Sequence, residues 1–331
     1  MKLVILGAGA IGCWVGGAWA AGVRALGGQV TLLGPSHSNA TLRNSALHLT
    51  GEDAPETVGE VAFHDNPDAL AQAQVIALAV KSHALSDAIA QINAHAAPDA
   101  VVVSLLNGIS PVRDLRAGCH GRDVIAGMVP FNVVWSGPSR LNRSGAGRIA
   151  LERHAVTEAL HRAGAVVDLH DDLAPIQHGK LLLNLANAVN ALSGKPLNAM
   201  LSDRGYRRVF AASLAEALRV YDAGNVAWEQ VGPNNPRLAR KMLTAPDWLF
   251  RLAVLRKAGL DRGAITSMAQ DMQAGRPTEI DTINAEIIRL GALHGVATPV
   301  NQRIVDLIKS AEQAQNPPAF SAATLQAEVG L

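Results

Sequence analysis

The first half of the chain alternates short apolar runs with segments of helical periodicity. Buried strands are predicted at the apolar runs 3–6, 29–33, 75–80, 101–106, 124–129, 149–151 and 166–169. Helices are predicted between some of them, at 11–26 and 85–95. Strands that alternate with helices in this way predict a parallel sheet with right-handed crossover connections.

From about residue 171 the pattern changes to Ala- and Leu-rich segments at helical spacing. Helical segments are predicted at 175–193, 203–231, 237–260, 262–275, 279–295 and 300–315. Residues from about Pro317 onward are predicted to be loosely ordered. The chain of 331 residues therefore divides into an α/β domain over 1–171 and an all-α domain over 172–331, to which we assign substrate binding and dimerisation.

A glycine-rich turn follows the first predicted strand directly. Residues 7–12 read Gly-Ala-Gly-Ala-Ile-Gly, which is the G-x-G-x-x-G spacing of a dinucleotide-binding turn. The first glycine permits a tight turn, the second lets backbone approach a pyrophosphate, and the third lets the helix pack close to the sheet. We therefore predict a Rossmann domain whose cofactor-binding residues are Gly7, Ala8, Gly9, Ala10, Ile11 and Gly12.

The same segment also has features of a secretory signal. Residues 3–23 carry no charge, Lys2 precedes them, and Ala18-Trp19-Ala20 resembles a signal-peptidase site. Six glycines between residues 7 and 22 are unfavourable for an apolar helical core, so the dinucleotide turn is preferred. Because no later stretch has about 18 apolar residues in a row, no membrane span is predicted.

Composition excludes several classes of function. The net charge of +1 gives no electrostatic basis for binding nucleic acid or an anionic membrane. The two cysteines, Cys13 and Cys119, form neither a disulfide framework nor a zinc motif, so no metal is predicted and a cytoplasmic location is expected. Large apolar faces on the predicted helices favour a homodimer.

The end of the second predicted strand bears on the choice of cofactor. Rossmann turns that bind NAD usually carry Asp or Glu there, about 20 residues after the glycines. Here the strand continues into Gly34-Pro35-Ser36-His37, with no carboxylate to bind a ribose 2′-hydroxyl or to repel a 2′-phosphate. This favours NADP, with Ser36 and His37 as candidate phosphate ligands, and the alternative is a polar loop without such a role.

Polar residues follow two of the predicted buried strands. Lys81 follows the run 75–80, and Asn107 follows the run 101–106. Open α/β sheets bind their ligands at the carboxyl ends of the strands. We therefore predict that both residues contribute to the site, with an ordinary surface lysine as the alternative for Lys81.

The predicted helix 175–193 carries a narrow polar stripe. At about 100° per residue, Asn184 lies about 40° from Lys180, and Asn187 lies about 20° to the other side. The alternative is an amphipathic surface helix, but asparagine is a poor helix former and surface stripes favour Glu, Lys and Gln. The stripe therefore predicts an active site.

A second polar segment lies near the C-terminus. Ser267 precedes Glu279 by twelve residues, in Thr278-Glu279-Ile280-Asp281. Thr278 and Asp281 resemble a capping box at a helix start. The alternative for Glu279 is therefore a glutamate in the first turn of a helix, where the helix dipole favours its charge.

Together these residues resemble ketopantoate reductases (2-dehydropantoate 2-reductases). The shared features, in the same order and at similar spacing, are Gly7-x-Gly9-x-x-Gly12, Lys81, Asn107-Gly108, Lys180-x-x-x-Asn184, Ser267 and Thr278-Glu279-Ile280-Asp281. The resemblance implies an N-terminal Rossmann domain and a helical C-terminal domain like that of 6-phosphogluconate dehydrogenases. It also implies NADPH-dependent reduction of ketopantoate to pantoate, on the pathway to pantothenate and coenzyme A.

The resemblance further implies a role for individual residues. Lys180 matches the family's catalytic lysine, which we expect to donate a proton to the developing alkoxide. Glu279 matches the glutamate that contacts the substrate hydroxyl and the cofactor region. Ser267 matches the serine that binds the substrate carboxylate, and Asn184 matches a substrate-binding asparagine. The positions that line the family's nicotinamide and substrate cleft are those of Lys81 and Asn107.

Two positions depart from the family's pattern. Ala188 stands where the family often has a second asparagine, so Asn187 is the candidate to bind substrate in its place. Pro35 stands where an arginine commonly holds the 2′-phosphate. The alternative functions are therefore a related 2-oxo acid or 3-hydroxy acid oxidoreductase on the same scaffold and, from another class, a nucleotide-sensing protein without catalysis.

Overall fold

A computed structural model describes residues 1–35, 46–55, 58, 60–232, 235–252, 263–314 and 317–331. They fold into two compact units, Met1–Leu173 and Ala174–Leu331. The first unit is built on parallel β-structure and the second is helical, which confirms the predicted fold class. No helix among these residues is long and apolar enough to cross a membrane.

Eleven strands lie in the described part of the first unit. They are β1 (Lys2–Leu6), β2 (Gln29–Leu33), β3 (His48–Thr50), β4 (Val61–His64), β5 (Val75–Leu78), β6 (Val101–Ser104), β7 (Val124–Met128), β8 (Asn132–Gly137), β9 (Arg140–Ser144), β10 (Ile149–Glu152) and β11 (Val167–His170). Eight of them form one sheet in the order β11-β10-β7-β6-β5-β1-β2-β4. The other three form a small sheet in the order β3-β9-β8.

The large sheet is parallel except at one pairing. The predicted parallel pairing is confirmed for the neighbouring strands β7-β6-β5-β1-β2-β4. Strand β10, however, pairs with β7 antiparallel, with Ala150 opposite Met128. The chain leaves β7 through the antiparallel β8–β9 pair instead of through a crossover helix. It therefore enters β10 in the opposite direction to β7.

Helices cover both faces of this sheet. They are α1 (Ala10–Ala25), α2 (Leu85–His95), α3 (Ser110–Gly118) and α4 (Ala155–Arg162). Alternate residues of β1 enter different apolar clusters: Leu3 and Ile5 pack in one cluster, and Val4 and Leu6 pack in the other. Since side chains alternate across a strand, the two clusters lie on opposite faces, as expected of a doubly wound sheet.

The small sheet was not predicted, because β3 and β9 are short and mostly polar, and β8 has only three apolar residues among its six. In β9 the sequence is Arg-Leu-Asn-Arg-Ser, where Leu141 is fully buried. Arg143 of the same strand is also buried, and its guanidinium carbon lies 4.0 Å from the ring centroid of Phe131. Its Nη1 donates to the Asp53 carboxylate at 3.1 Å. Arg143 therefore occupies a buried position of β9 as a cation that packs on aromatic rings. An apolar residue at this position would have given the alternating pattern by which a strand is predicted.

The second unit contains nine α-helices within the described residues. They are α5 (Ala174–Ser193), α6 (Leu197–Ser202), α7 (Arg204–Ala223), α8 (Pro236–Leu243), α9 (Asp247–Phe250), α10 (Ser267–Gln273), α11 (Asn284–Leu293), α12 (Pro299–Ala314) and α13 (Ala322–Glu328). The prediction of a helical unit is thus confirmed, although several predicted segments were too long. The segment predicted at 203–231 ends at Ala223, and Asn225 then adopts a positive φ of 49°.

The C-terminal segment is ordered, and the prediction that it is loose was wrong. Helix α13 buries Leu325 completely, and the Tyr206 hydroxyl of α7 donates to the carbonyl of Phe320 at 2.7 Å. The helix is short, and its apolar anchor is a single leucine, so periodicity did not reveal it.

A buried carboxylate joins α7 to the start of α12. Glu216 is 2% exposed and accepts hydrogen bonds from the backbone N–H groups of Val300 and Asn301, both at 2.9 Å. The Asn301 side-chain amide donates a third bond at 2.8 Å. The first N–H groups of a helix have no partner within the helix, so this carboxylate satisfies two of them and favours the dipole.

We expect Glu216→Gln to lower the free energy of unfolding by about 2 kcal/mol, because hydrogen bonds to a charged acceptor exceed neutral ones and the amide adds a donor that faces N–H groups. Urea unfolding measures the change. The control is Glu328→Gln, which breaks a partly exposed ion pair with Arg303 and should cost less than about 1 kcal/mol. Equal losses in both variants would contradict this account of Glu216.

Candidate active site

The three glycine positions in the turn between β1 and α1 differ in whether the fold requires glycine there. Gly7 has φ of 115°, and a Cβ there would lie 2.6 Å from the carbonyl carbon of Ala79. A Cβ on Gly12 would lie 2.0 Å from the carbonyl oxygen of Gly7. Gly9 has φ of −80°, and a Cβ there would meet nothing within 4 Å. The fold therefore requires glycine at positions 7 and 12 but not at position 9.

The start of α1 suits a phosphate group. Gly9 is its N-cap and offers no side-chain acceptor to the first N–H groups, and the first turn contains no acidic residue. Such N–H groups, together with the positive end of the helix dipole, favour an anion. Open space at Gly9 lets a ligand come close to backbone. The turn formed by Gly7, Ala8, Gly9, Ala10, Ile11 and Gly12 therefore fits the pyrophosphate of a dinucleotide.

The sheet brings two more predicted residues to the same edge. Strands β6, β5 and β1 are parallel neighbours, so their carboxyl ends lie side by side. Asn107 follows β6 and is half-buried, while Lys81 follows β5 and is exposed. Gly108, with φ of 92°, turns the chain directly after Asn107. The edge where the glycine turn begins therefore also carries an amide and a cation.

The end of β2 is only partly described. The backbone N–H of Gly34 donates to the carbonyl of His64 at 3.1 Å, and Pro35 follows. Ser36 and His37, the predicted phosphate ligands, lie outside the described residues. Strand β4, which was not predicted, pairs with β2 in parallel register and places Leu33 opposite His64. It thereby brings the exposed residues His64 and Asp65 to this edge, which periodicity missed because β4 is half-exposed.

In the helical unit, α5 carries the predicted polar stripe. Lys180, Asn184 and Asn187 are all half-buried, whereas Leu181 and Leu185 are fully buried on the far side of the helix. A solvated surface stripe would be exposed. The three side chains of the stripe are instead partly withdrawn from solvent, so their hydrogen bonds and charges are only partly screened.

Burial lowers the pKa of the Lys180 ammonium to about 8, and the negative charge of Glu279 acts against this shift. Glu279 itself is 5% exposed. Its carboxylate is thus close enough to influence Lys180 electrostatically, although the two residues are almost a hundred positions apart in the sequence. A lysine with a pKa near 8 can hold a proton at neutral pH and also release it.

Glu279 is not an ordinary first-turn helix residue. It precedes the short 3₁₀ turn Ile280–Thr282, and α11 begins only at Asn284. The Thr278 hydroxyl accepts a hydrogen bond from the backbone N–H of Ile280 at 3.3 Å, which fixes the turn locally. The alternative interpretation of Glu279 as a glutamate in the first turn of an α-helix therefore does not describe this structure.

Ser267 is the first residue of α10, which packs against α5. Thr266 is the N-cap of α10, and its hydroxyl accepts from the backbone N–H of Ala269 at 3.4 Å. Ser267 is half-buried, as are the stripe residues of α5. The helical unit therefore presents a cation, two amides and a hydroxyl on two packed helices, with one carboxylate that acts on the cation. The described residues contain no cluster of metal-ligating side chains.

Comparison with known protein families gives two matches that together span most of the chain. Residues 3–155 match the model for ketopantoate reductase PanE/ApbA. Residues 172–312 match the model for the C-terminal domain of ketopantoate reductase PanE/ApbA.

Curated relatives are named 2-dehydropantoate 2-reductase, which is another name for ketopantoate reductase. A 2-dehydropantoate 2-reductase of Pyrobaculum aerophilum is 32% identical over 220 residues, which are 65% of this chain and 71% of that protein. A 2-dehydropantoate 2-reductase of Halobacterium salinarum is 24% identical over 324 residues, covering 95% of this chain and 99% of that protein.

Solved structures share the fold along nearly the whole chain. A PanE/ApbA family ketopantoate reductase from Ralstonia eutropha JMP134 is 27% identical with a TM-score of 0.79, covering 95% of this chain and 99% of that one. D-mandelate dehydrogenase in complex with NADH and anilino(oxo)acetate has a TM-score of 0.74 at 19% identity, over 95% and 99% of the two chains. A dimeric ketopantoate reductase from Staphylococcus aureus has a TM-score of 0.69 at 18% identity, over 96% and 100%.

We expect Gly9→Ala to weaken binding of the nicotinamide dinucleotide by about tenfold or more, equivalent to ~1.4 kcal/mol, with little change in melting temperature. The methyl group fits the free protein but occupies the space that a pyrophosphate needs. Gly12→Ala should instead lower the free energy of unfolding by about 1–3 kcal/mol, because its methyl group collides with backbone. Calorimetric titration and thermal unfolding separate the two effects. Unchanged cofactor affinity in Gly9→Ala would exclude this turn as the phosphate site.

Proposed function

Because the chain belongs to the ketopantoate reductase family, we propose that it reduces 2-dehydropantoate to pantoate. The observation that carries the proposal is the state of Lys180, a half-buried lysine whose pKa is lowered to about 8 and whose charge is favoured by Glu279. Reduction of a ketone needs a proton donor of this kind. The fold alone would not supply one, so the site and the family point to the same reaction.

The cofactor we propose is NADPH, which supplies the hydride when it is bound. The glycine turn and the start of α1 would hold its pyrophosphate, with Lys81 and Asn107 on the same sheet edge. Support for the 2′-phosphate form is the absence of a carboxylate at Gly34 and Pro35, the described residues after β2. The exposed Asp65 after β4 is the residue that would instead favour NADH, so the choice depends on which groups face the ribose.

In the proposed mechanism, this chain's residues hold the keto acid and manage one proton. Ser267 binds the substrate carboxylate, and Asn184 and Asn187 donate or accept neutral hydrogen bonds that orient the substrate. Lys180 donates its proton to the carbonyl oxygen as the carbon accepts hydride, so an alkoxide never accumulates. Glu279 accepts from the substrate hydroxyl and keeps Lys180 protonated.

A related 2-oxo acid or 3-hydroxy acid is the second candidate substrate, and one observation favours it. Ala188, at the position where the family often has an asparagine, is fully buried and brings no polar group. Asn187 is half-buried on the stripe, one position earlier and therefore at a different angle. We also propose a homodimer, as in the Staphylococcus aureus enzyme.

Turnover with NADPH and with NADH, each offered ketopantoate and a panel of other 2-oxo acids, tests the proposal. We expect oxidation of NADPH with ketopantoate, at a higher kcat/KM than with NADH or with the other acids. A higher kcat/KM for another acid would assign the chain to a related oxidoreductase. Cofactor binding without turnover of any acid would indicate a sensor.

Lys180→Ala should lower kcat by about 100-fold or more, because the general acid is lost, and should leave the dissociation constant of NADPH unchanged. Stopped-flow reduction and fluorescence titration measure the two quantities. Lys309→Ala is the control, since it removes a lysine of the same unit that pairs with Asp281 on the surface. Full turnover by Lys180→Ala would remove Lys180 from the mechanism.

The pH dependence of kcat should report the state of Lys180. Reduction needs the ammonium, so kcat falls as the pH rises through about 8, the pKa to which burial lowers this group. Glu279→Gln removes the charge that favours the ammonium, so the pKa falls further and the decline moves to lower pH.

The control for this shift is Asp281→Asn, which removes a carboxylate two residues away that is paired with Lys309. It should leave the pH profile in place. A profile that Glu279→Gln does not move would mean that another group limits turnover at high pH.

A further inference from the structure

Asn190, a residue that sequence patterns did not single out, links the two helices that carry the predicted substrate ligands. It lies on α5, one turn beyond Asn187, and is completely buried. Its side-chain Oδ1 accepts from the backbone N–H of Thr266 at 3.0 Å and from the Thr266 hydroxyl at 3.1 Å. Its Nδ2 donates to the carbonyl of Lys195 at 2.8 Å.

These bonds end at the residue that begins α10. Thr266 is the N-cap of that helix, and Ser267 is its first residue. Both the amide and the hydroxyl of Thr266 are therefore tied to a single side chain of α5. The hydroxyl also lies 3.4 Å from the carbonyl oxygen of Asn187, a second contact with the same helix.

Apolar packing alone would not fix Ser267 to the accuracy that a ligand requires. The buried apolar side chains of α10 are Met268, Ala269 and Met272, and methionine adapts its shape to its surroundings. Such packing holds two helices together but permits small shifts along and around their axes. Directional hydrogen bonds at the first turn remove that freedom.

We infer that Asn190 is a positioning residue, which sets the place of Ser267 relative to Lys180, Asn184 and Asn187. The inference rests on the proposed function, because it takes Ser267 as the ligand of the substrate carboxylate. Asn190 is fully buried and bonds to Thr266, the residue before Ser267, so it affects the substrate through that link and not by contact. Its loss should therefore weaken binding of the acid more than it slows chemistry.

The test compares Asn190→Leu with the wild-type protein. We expect KM for ketopantoate to rise by about tenfold, equivalent to ~1.4 kcal/mol, while kcat falls by less than about threefold and KM for NADPH is unchanged. Asn190→Asp keeps an acceptor for both Thr266 bonds and should return KM towards the wild-type value. A wild-type KM in Asn190→Leu would overturn the inference.

A matched control separates positioning from general stability. Asn301 is also completely buried, and its amide donates to Glu216 at 2.8 Å and to the Ser213 carbonyl at 3.2 Å. Asn301→Leu should lower the melting temperature without raising KM when both variants are assayed well below their melting temperatures. An equal rise of KM in both variants would mean that any buried amide has this effect, which overturns the inference.

A double-mutant cycle with Ser267→Ala shows whether Asn190 acts through Ser267. In the Asn190→Leu background the second change should raise KM by less than about twofold, because the serine is already displaced. Fully additive effects would contradict the inference. Should Asn190→Leu fail to fold, Thr266→Val removes the hydroxyl bond to Asn190 and keeps the backbone bond, so KM should rise by less than about tenfold but measurably. Thr266→Ser keeps the hydroxyl and should have the wild-type KM, and a wild-type KM in Thr266→Val would then overturn the inference.

Hydrogen–deuterium exchange gives a readout that does not depend on the substrate. The peptide 264–273 should exchange faster in Asn190→Leu than in the wild-type protein, and it should be unchanged in Asn301→Leu. Should the wild-type protein not reduce ketopantoate, the proposed function fails, and exchange then decides the positioning role alone. Unchanged exchange would overturn it.

Discussion

The electrostatic effect of Glu279 on Lys180 is the constraint on which the candidate site of the helical unit depends. A lysine that loses hydration loses part of the free energy of its charged form, which is why the pKa of Lys180 falls to about 8. A nearby carboxylate restores part of it. Without Glu279 the pKa of Lys180 would fall further, so a smaller fraction of the protein would hold the proton at neutral pH.

The loop that carries Glu279 is held by contacts on both sides. Arg276 pairs with the buried Asp271, with its Nε 3.1 Å from Oδ1, and the backbone N–H of Thr278 donates to the Glu312 carboxylate at 2.7 Å. Together with the Asn190–Thr266 bonds, these contacts tie the start of α10 and the loop that carries Glu279 to neighbouring helices. A pair of partly desolvated charges needs such support, because its strength depends on distance and on the hydrogen bonds around it.

The sequence predicted the parts of the molecule that rest on local pattern. Strand β2 and helix α2 have the predicted bounds, because alternation and helical period are read within a few residues. Strand β5 ends at Leu78 instead of residue 80, since an apolar run does not show where pairing stops. Asn190 was missed for a different reason: a buried asparagine on a helix has a role only through a partner, and Thr266 lies 76 positions away.

Gly9 shows how the structure separates a functional requirement from a folding one. In the sequence the three glycines are equivalent members of one motif. In the structure Gly7 and Gly12 are required by backbone conformation or close contact, whereas alanine at position 9 would meet nothing. Lys180 is comparable, since its burial disfavours its own charge. Positions where the fold gains nothing from the residue present are those where a ligand accounts for it. By this criterion, Gly9 in the first unit and Lys180 in the second are the two positions that a dinucleotide and a keto acid best explain.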